Sequence, residues 1–216
     1  MLVFIILHAR INTHDGVGRD RGRGFPPSQL HLMPTARRPA TCRSLILPLI
    51  LLLPCAHSMR LVIQRVKSAS VTVKESVISS IGKGVVALVG LHVDDTEEDM
   101  QYCAKKLLSA KLWPNENDKP WRQSVKQLNH DVLLVSQFTL YGSIANKKSC
   151  PDFKYSMKSD PALSMYSKFK DIVSHGYGAE SASKVKDGEF GAMMDVALVN
   201  DGPVTLVIDS REDQGP

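Results

Sequence analysis

Cysteine is scarce in this 216-residue chain. Of four cysteines, Cys42 and Cys55 lie upstream and only Cys103 and Cys150 fall in the larger, later part. Two thiols with no CxxC spacing exclude a disulfide framework. His92, His130 and His175 stand apart from one another and from any HxxxH pattern, so no zinc site is expected and no cofactor is implied. Long apolar runs are also lacking. Leu45 to Leu53 holds eight aliphatic residues and Pro48, far short of the roughly 20 that a membrane-spanning helix needs, and no stable membrane association is expected. Finally, the later part lacks net charge. Residues 1–58 carry seven Arg against Asp15 and Asp20, which accounts for the whole-chain +5. The remainder, 27 − 7 = 20 basic and 22 − 2 = 20 acidic residues, is neutral. A pI near 9.0 is therefore no argument for nucleic-acid binding.

What is present divides at Met59. Residues 1–58 read as an extension, 59–210 as one folded domain and 211–216 as a tail. Gly16 to Pro27 is rich in Gly, Arg and Pro without hydrophobic period, a composition that buries too little to offset its ordering entropy. Three readings of the extension compete. It is an organellar transit peptide, Arg-rich and acid-poor; or a secretory signal, with Arg37, Arg38 and Arg43 before the apolar run and Cys55 to Ser58 as a cleavage region; or it is not part of the working protein, which starts at Met59. The third is favoured, with a cytoplasmic location, and organelle targeting through residues 1–58 is the alternative.

From Met59 the pattern is of strands with two helices. Arg60 to Val66 and Ala69 to Ile78 read as strands joined by a turn at Lys67-Ser68, and Val85 to Leu91 as a central strand. Thr96 caps a helix with Glu97, Glu98 and Asp99 in its first turn, and Met100, Cys103, Ala104, Leu107 and Leu108 form its apolar face. Leu112-Trp113 is a short strand, and Trp121 is expected to be a buried plug rather than a stacking surface for a base. Ser143 to Ser159 is long enough to be a binding loop, with Lys147 and Lys148 suited to phosphate. Asp160 as N-cap and Pro161 start a second helix whose apolar face is Leu163, Tyr166, Phe169 and Val173. The order β-β-β-α-β-β-α-β-β has few βαβ repeats. It implies an α+β fold: a strongly curved, mainly antiparallel, barrel-like sheet with two packed helices.

Two stretches carry the chemistry. In DVLLVSQFTLYG, Asp131 to Gly142, the run Val132 to Val135 reads as a strand buried on both faces. Ser136, Gln137 and Thr139 then place polar groups at its end, with Phe138 between them as a flat apolar surface. The plainer reading is an ordinary strand with one wet face. In LVNDGPVTLVID, Leu198 to Asp209, Asn200-Asp201-Gly202-Pro203 reads as a tight turn between strands. Hydrolysing an ester needs an activated water or a nucleophile, and donors for the oxyanion. No Ser-His-Asp constellation is visible. Thr139 has no candidate base beside it, so its hydroxyl is more simply a strand hydroxyl bonded to backbone. Backbone N–H groups around Gln137, Phe138 and Thr139, assisted by the Ser136 and Gln137 side chains, could form an oxyanion hole.

SQFTLYG at 136–142 and NDGPVT at 200–205, with MRLVIQRV at 59–66, PDF at 151–153 and KDGEFGAMM at 186–194 in the same order, resemble the D-aminoacyl-tRNA deacylases, also called D-tyrosyl-tRNA deacylases. The resemblance covers Met59 to about Ser210. Relatives commonly carry a basic residue before PDF, where this chain has Ser149-Cys150. The resemblance implies aminoacyl-tRNA as substrate, a proofreading hydrolase and a homodimer with active sites at the interface. It implies that the Gly202-Pro203 turn of one subunit enters the other's active site, held with the help of Arg65. It also implies that the 2′-hydroxyl of the terminal adenosine of tRNA helps to position or activate water. Phe138 and Phe153 are then stacking surfaces for adenine, and Met194 matches a family methionine near the pocket. The Gly202–Pro203 bond is expected to be cis, turning two carbonyls the same way so that they hold the substrate ammonium and exclude an L side chain. Two other readings remain: a non-catalytic nucleic-acid-binding module on the same fold, and a deacylase for a wrongly attached L-amino acid.

Overall fold

A single 14-residue strand, β1 (Arg60–Val73), organises the structure, a computed structural model that describes residues 58–144 and 149–211. The expectations placed on residues 1–57, and on Lys147 and Lys148, lie outside the described residues. Strands β2 (Ser76–Ile81) and β3 (Gly84–Gly90) follow one another antiparallel along one edge of β1, and β8 (Asp195–Asp209) runs antiparallel along its other edge. Beyond β3 come β6 (Asp131–Ser136) and β7 (Val185–Asp187), both added in parallel. Strands β4 (Lys111–Trp113) and β5 (Gln123–Ser124) form a separate pair. The fold is α+β with a curved mixed sheet, as the pattern implied, although the central pairs β3/β6 and β6/β7 are parallel. All these elements belong to one compact unit, Leu52–Pro216.

Helices α1 (Glu97–Ser109) and α2 (Ser159–Tyr177) cover one face of the sheet. Thr96 caps α1 as expected, and Asp99 completes a capping box by accepting from the Thr96 N–H. Its Met100, Cys103, Ala104, Leu107 and Leu108 are buried against Leu61 and Ile63 of β1, Val85 and Ala87 of β3, and Val132 and Leu134 of β6. The opposite face has its own smaller core, in which Val66, Ala69 and Val71 of β1 meet Val86, Leu133 and Val135.

This division of β1 requires a change of phase. Leu61 and Ile63 face the helices and Val66 the second core, as strict alternation demands, but Ala69 and Val71 then share the face of Val66. The register supplies the reason: Val66 pairs Asn200 and Ser68 pairs Val199, so Lys67 is an extra residue, a bulge that inverts the alternation. The turn expected at Lys67-Ser68 is this bulge. The true hairpin turn is Lys74-Glu75, both with positive φ (47° and 67°).

Other boundaries also differ. The strand expected over 131–142 stops at Ser136, and Phe138–Tyr141 is a 3₁₀ turn. α2 begins at Ser159 with Lys158 as N-cap, so Asp160 lies in its first turn rather than at the cap. Ala162 is buried in place of Leu163, which is 49% exposed. Trp121 is 53% exposed with φ +60°, so it is no buried plug. A short helix, α3 (Ser181–Lys184), precedes β7, and β8 is one strand from Asp195 rather than two.

Candidate active site

The sequence-derived site residues fall into two separate groups. The first is the end of β6. Four fully buried residues, Val132 to Val135, fix the strand between β3 and β7, so Ser136 leaves the sheet at a rigid point, paired with Val89. The Gln137 N–H donates to the Val89 carbonyl at 2.7 Å, extending the ladder by one bond, and the chain then coils into the 3₁₀ turn. That bond removes the Gln137 N–H from any oxyanion hole. The N–H groups of Phe138 and Thr139 open the turn and have no acceptor among the described residues. The Gln137 side-chain amide donates to Thr139 Oγ1. No carboxylate or imidazole is bonded to Thr139 among the described residues, so nothing adjacent would take its proton. The nearby imidazole, His92, is buried below the turn, with its ring 5.3 Å from that of Tyr141 and 5.8 Å from that of Tyr155.

Phe138 is 58% exposed and meets Phe153 edge-on, with ring centroids 4.9 Å apart at 65°. Two paired bonds between Ser143 and Asp152 (2.9 and 2.8 Å) close the intervening loop and bring Phe153 back over the turn. Gly142 makes room for it: a Cβ there would come within 2.8 Å of Phe153 Cε1. Lys154 sits beside this aromatic pair, its ammonium 4.5 Å from the centre of the Tyr155 ring. Contact with the Tyr155 hydroxyl raises the pKa of that ammonium. Met194 packs with Leu198 on the second core, over the sheet face of Leu133 and Val135 that leads up to Gln137.

The second group lies along β8. Between Thr205, which pairs Gln64, and Asn200, which pairs Val66, Asp201 to Val204 loop out of the ladder opposite Arg65. The Asn200 side chain closes this excursion by accepting from the Val204 N–H at 2.9 Å and donating to Thr205 Oγ1 at 3.1 Å. Arg65 holds it from the strand. Its Nε donates to the Asp201 carbonyl at 3.1 Å and lies 3.2 Å from the Asp201 carboxylate, while Nη1 donates to the Leu112 carbonyl. The Gly202–Pro203 bond is cis, and both residues are exposed. Sequence reasoning named the turn and Arg65 but missed Asn200 as its clasp and the ion pair to Asp201. The Asn-Asp pair before Gly-Pro was the available signal.

The two groups do not meet within one chain. Gly202-Pro203 is opposite Arg65 on β8, and Ser136 is level with Leu61 on the far side of β3. Three strand spacings across and four residues along place them on the order of 15–20 Å apart. β8 pairs only with β1 among the described residues, and it exposes Val196, Val199, Leu206 and Val207.

A family profile described as D-Tyr-tRNA(Tyr) deacylase matches residues 62–209. A D-aminoacyl-tRNA deacylase of Dictyostelium discoideum is 46% identical over 157 residues, 71% of this chain and 99% of that protein. A solved structure of the c-Myc DNA Unwinding Element Binding Protein is 37% identical with a TM-score of 0.64, covering 69% of this chain and 97% of that one. A structure described as a probable eukaryotic D-amino acid tRNA deacylase superposes with a TM-score of 0.62 at 19% identity, over 70% of this chain and 99% of that chain, which supports the fold.

Proposed function

The chain belongs to the D-Tyr-tRNA(Tyr) deacylase family, and on that footing we propose that it hydrolyses the ester joining a D-amino acid to the terminal adenosine of tRNA. The products are the free D-amino acid and tRNA. The reaction centre is the 3₁₀ turn after β6. The N–H groups of Phe138 and Thr139 face the developing oxyanion, Ser136 and Gln137 assist, and adenine stacks on Phe138 and Phe153. Thr139 lacks a base, so the tRNA 2′-hydroxyl helps to place or activate the attacking water.

The observation that carries the rest is the separation of the Gly202-Pro203 excursion from this centre. An excursion clamped by Arg65 and Asn200 is built to be presented, yet it lies far from the site in its own chain. In a two-fold dimer it enters the partner's site, where its carbonyls accept the substrate ammonium and leave no space for an L side chain. The exposed aliphatic residues of β8, on an edge strand, favour such an interface.

Deacylation of D-Tyr-, L-Tyr- and Gly-charged tRNA, measured side by side, tests the activity: D-Tyr and Gly are released and L-Tyr persists. Equal rates on D-Tyr and L-Tyr would refute the chiral reading. Co-refolding Gln137→Ala and Gly202→Ala, each expected to lose most of its activity alone, tests the shared site. Half of the resulting dimers are mixed and each holds one intact site, so about a quarter of wild-type activity returns. If mixing restores nothing while each variant still dimerises, the turn acts in its own subunit. A second reading is non-catalytic nucleic-acid binding, favoured by the likeness to the DNA unwinding element binding protein. Turnover of D-Tyr-tRNA by residues 59–216 would exclude it.

A further inference from the structure

The loop between β4 and β5, residues 114–122, carries an aromatic side chain that neither hydrophobic core takes up. Trp121 is 53% exposed with φ +60°, a region that a bulky residue seldom occupies. The loop around it is well fastened. The Asn115 side chain accepts from the N–H groups of Asn117 (3.1 Å) and Lys119 (3.0 Å), and the Asn115 N–H donates to the Lys119 carbonyl at 3.0 Å. At the far end the Arg122 N–H donates to the Trp113 carbonyl at 2.8 Å. The indole therefore stands on a fixed base. That base is tied to the presented turn, because the Leu112 carbonyl accepts from Arg65 Nη1 while Nε of the same guanidinium donates to the Asp201 carbonyl at 3.1 Å. One guanidinium, one peptide unit and one backbone hydrogen bond separate Trp121 from the Gly202-Pro203 excursion, a distance on the order of 10–15 Å.

We infer that Trp121 is a stacking platform for an unpaired nucleotide of the tRNA bound to the partner subunit. The inference rests on the deacylase reading and on the crossed turn. When the excursion of one subunit enters the other's site, the loop tied to it is carried to the rim of that site. It then stands about three or four nucleotides from the substrate ammonium, counting roughly 3.4 Å each. The 3′ end of tRNA is single-stranded there and offers unpaired bases upstream of the terminal adenosine. An exposed indole meets the π face of any base, so the contact adds affinity without choosing among tRNAs. The charge balance narrows the chemistry further. Over residues 114–122, Lys119 and Arg122 are offset by Glu116 and Asp118, 2 − 2 = 0. The loop therefore holds a base rather than a row of phosphates, and its contribution should vary little with salt. Each site is then built from two subunits, with Phe138 and Phe153 for the adenine from one, and the excursion and Trp121 from the other.

The full chain has two tryptophans, and Trp113 is only 7% exposed, so Trp121 supplies the solvent-sensitive part of the fluorescence. Saturating uncharged tRNA with an intact 3′ end should quench that part. Removing the unpaired 3′ nucleotides, or substituting Trp121→Phe, should abolish the quench. In deacylation of D-Tyr-tRNA, Trp121→Ala should raise KM by about 5–150-fold, the effect of one base stack, with kcat unchanged and most of the loss recovered in Trp121→Phe. In mixed dimers of Gln137→Ala with Gly202→Ala, the one intact site takes its excursion, and so its indole, from the Gln137→Ala subunit. Adding Trp121→Ala to that subunit should raise KM, and adding it to the other should not. An unaltered KM and no quench, in a chain that turns over D-Tyr-tRNA, would overturn the inference and leave the deacylase reading standing. Absence of all turnover sinks that reading instead, and the quench by uncharged tRNA then judges Trp121 by itself. A KM effect that follows the Gly202→Ala subunit overturns the crossed placement, and dissociation of the dimer by Trp121→Ala makes the indole an interface residue and overturns it too.

Discussion

Replacing Gly202 by alanine perturbs the presented turn at one atom. Gly202 has φ +129°, a region that residues with a Cβ rarely enter, at a cost of about 1–3 kcal/mol. The added Cβ would lie 2.9 Å from Val204 Cγ2 and 3.2 Å from Arg65 Nη2, where carbon contacts are comfortable at roughly 3.5–4.0 Å. Neither neighbour yields easily, since the Val204 N–H is held by Asn200 and Arg65 by Asp201 and Leu112. The turn itself must shift. Displacement by about 1 Å costs about a hundredfold in rate when a group positions substrate. Because the excursion is exposed and outside the ladder, the stability lost stays near the backbone cost alone, about 1–3 kcal/mol. Denaturant unfolding and steady-state deacylation of D-Tyr-tRNA measure both, and the L-Tyr-tRNA rate should rise relative to the D-Tyr-tRNA rate. Activity within threefold of wild type and an unchanged D/L ratio would refute the assignment of this turn to substrate selection.

Thr139→Ala should keep most activity, because no base adjoins its hydroxyl; a drop beyond about a thousandfold, roughly 4 kcal/mol of barrier, would make Thr139 the nucleophile. Phe138→Ala should raise KM for charged tRNA by about 5–150-fold, the equivalent of about 1–3 kcal/mol of base stacking, with little change in stability for a residue so exposed; an unaltered KM would remove adenine from this ring. Burial raises the Asp95 carboxyl to about 7, so the folded state holds a proton that the unfolded chain releases near 4. Stability then falls as pH rises from about 4 to about 7, by at most roughly 4 kcal/mol, and Asp95→Asn should flatten that slope in urea titrations. Asp99 works in a lower window. Burial would raise it, but the hydroxyls of Ser210 and Thr96 outweigh this and lower it, so its contribution is present above the usual carboxylate range and is lost on acidification below it.

Elements with strong local signals were legible in the sequence. The α1 cap and apolar face were read residue by residue, and so was the buried run Val132 to Val135. The sequence also located the two chemical stretches, because Ser136 to Gly142 and Asn200 to Thr205 break hydrophobic patterns abruptly. What it hid depends on distant partners. The Lys67 bulge is visible only in the pairing of β1 with β8, 130 residues away in sequence, and the turn residues Lys74 and Glu75 carry no glycine or asparagine to mark positive φ. Trp121 was misjudged from the average habits of its residue type, although a left-handed backbone turns it outward. The 3₁₀ turn at Phe138 was missed because Phe, Thr, Leu and Tyr suit a strand equally well.

The bulge at Lys67 separates two things that sequence variation usually treats together, the identity of a residue and its existence. The Lys67 side chain is exposed, so almost any residue can stand there. Its place in the count is not negotiable, because deleting it would rotate Ala69 and Val71 out of the second core and bring their polar neighbours in. Among descendants of this gene, position 67 should drift freely in residue type yet never be lost, while the hairpin tip at 74–75, outside both cores, is where length is free to change.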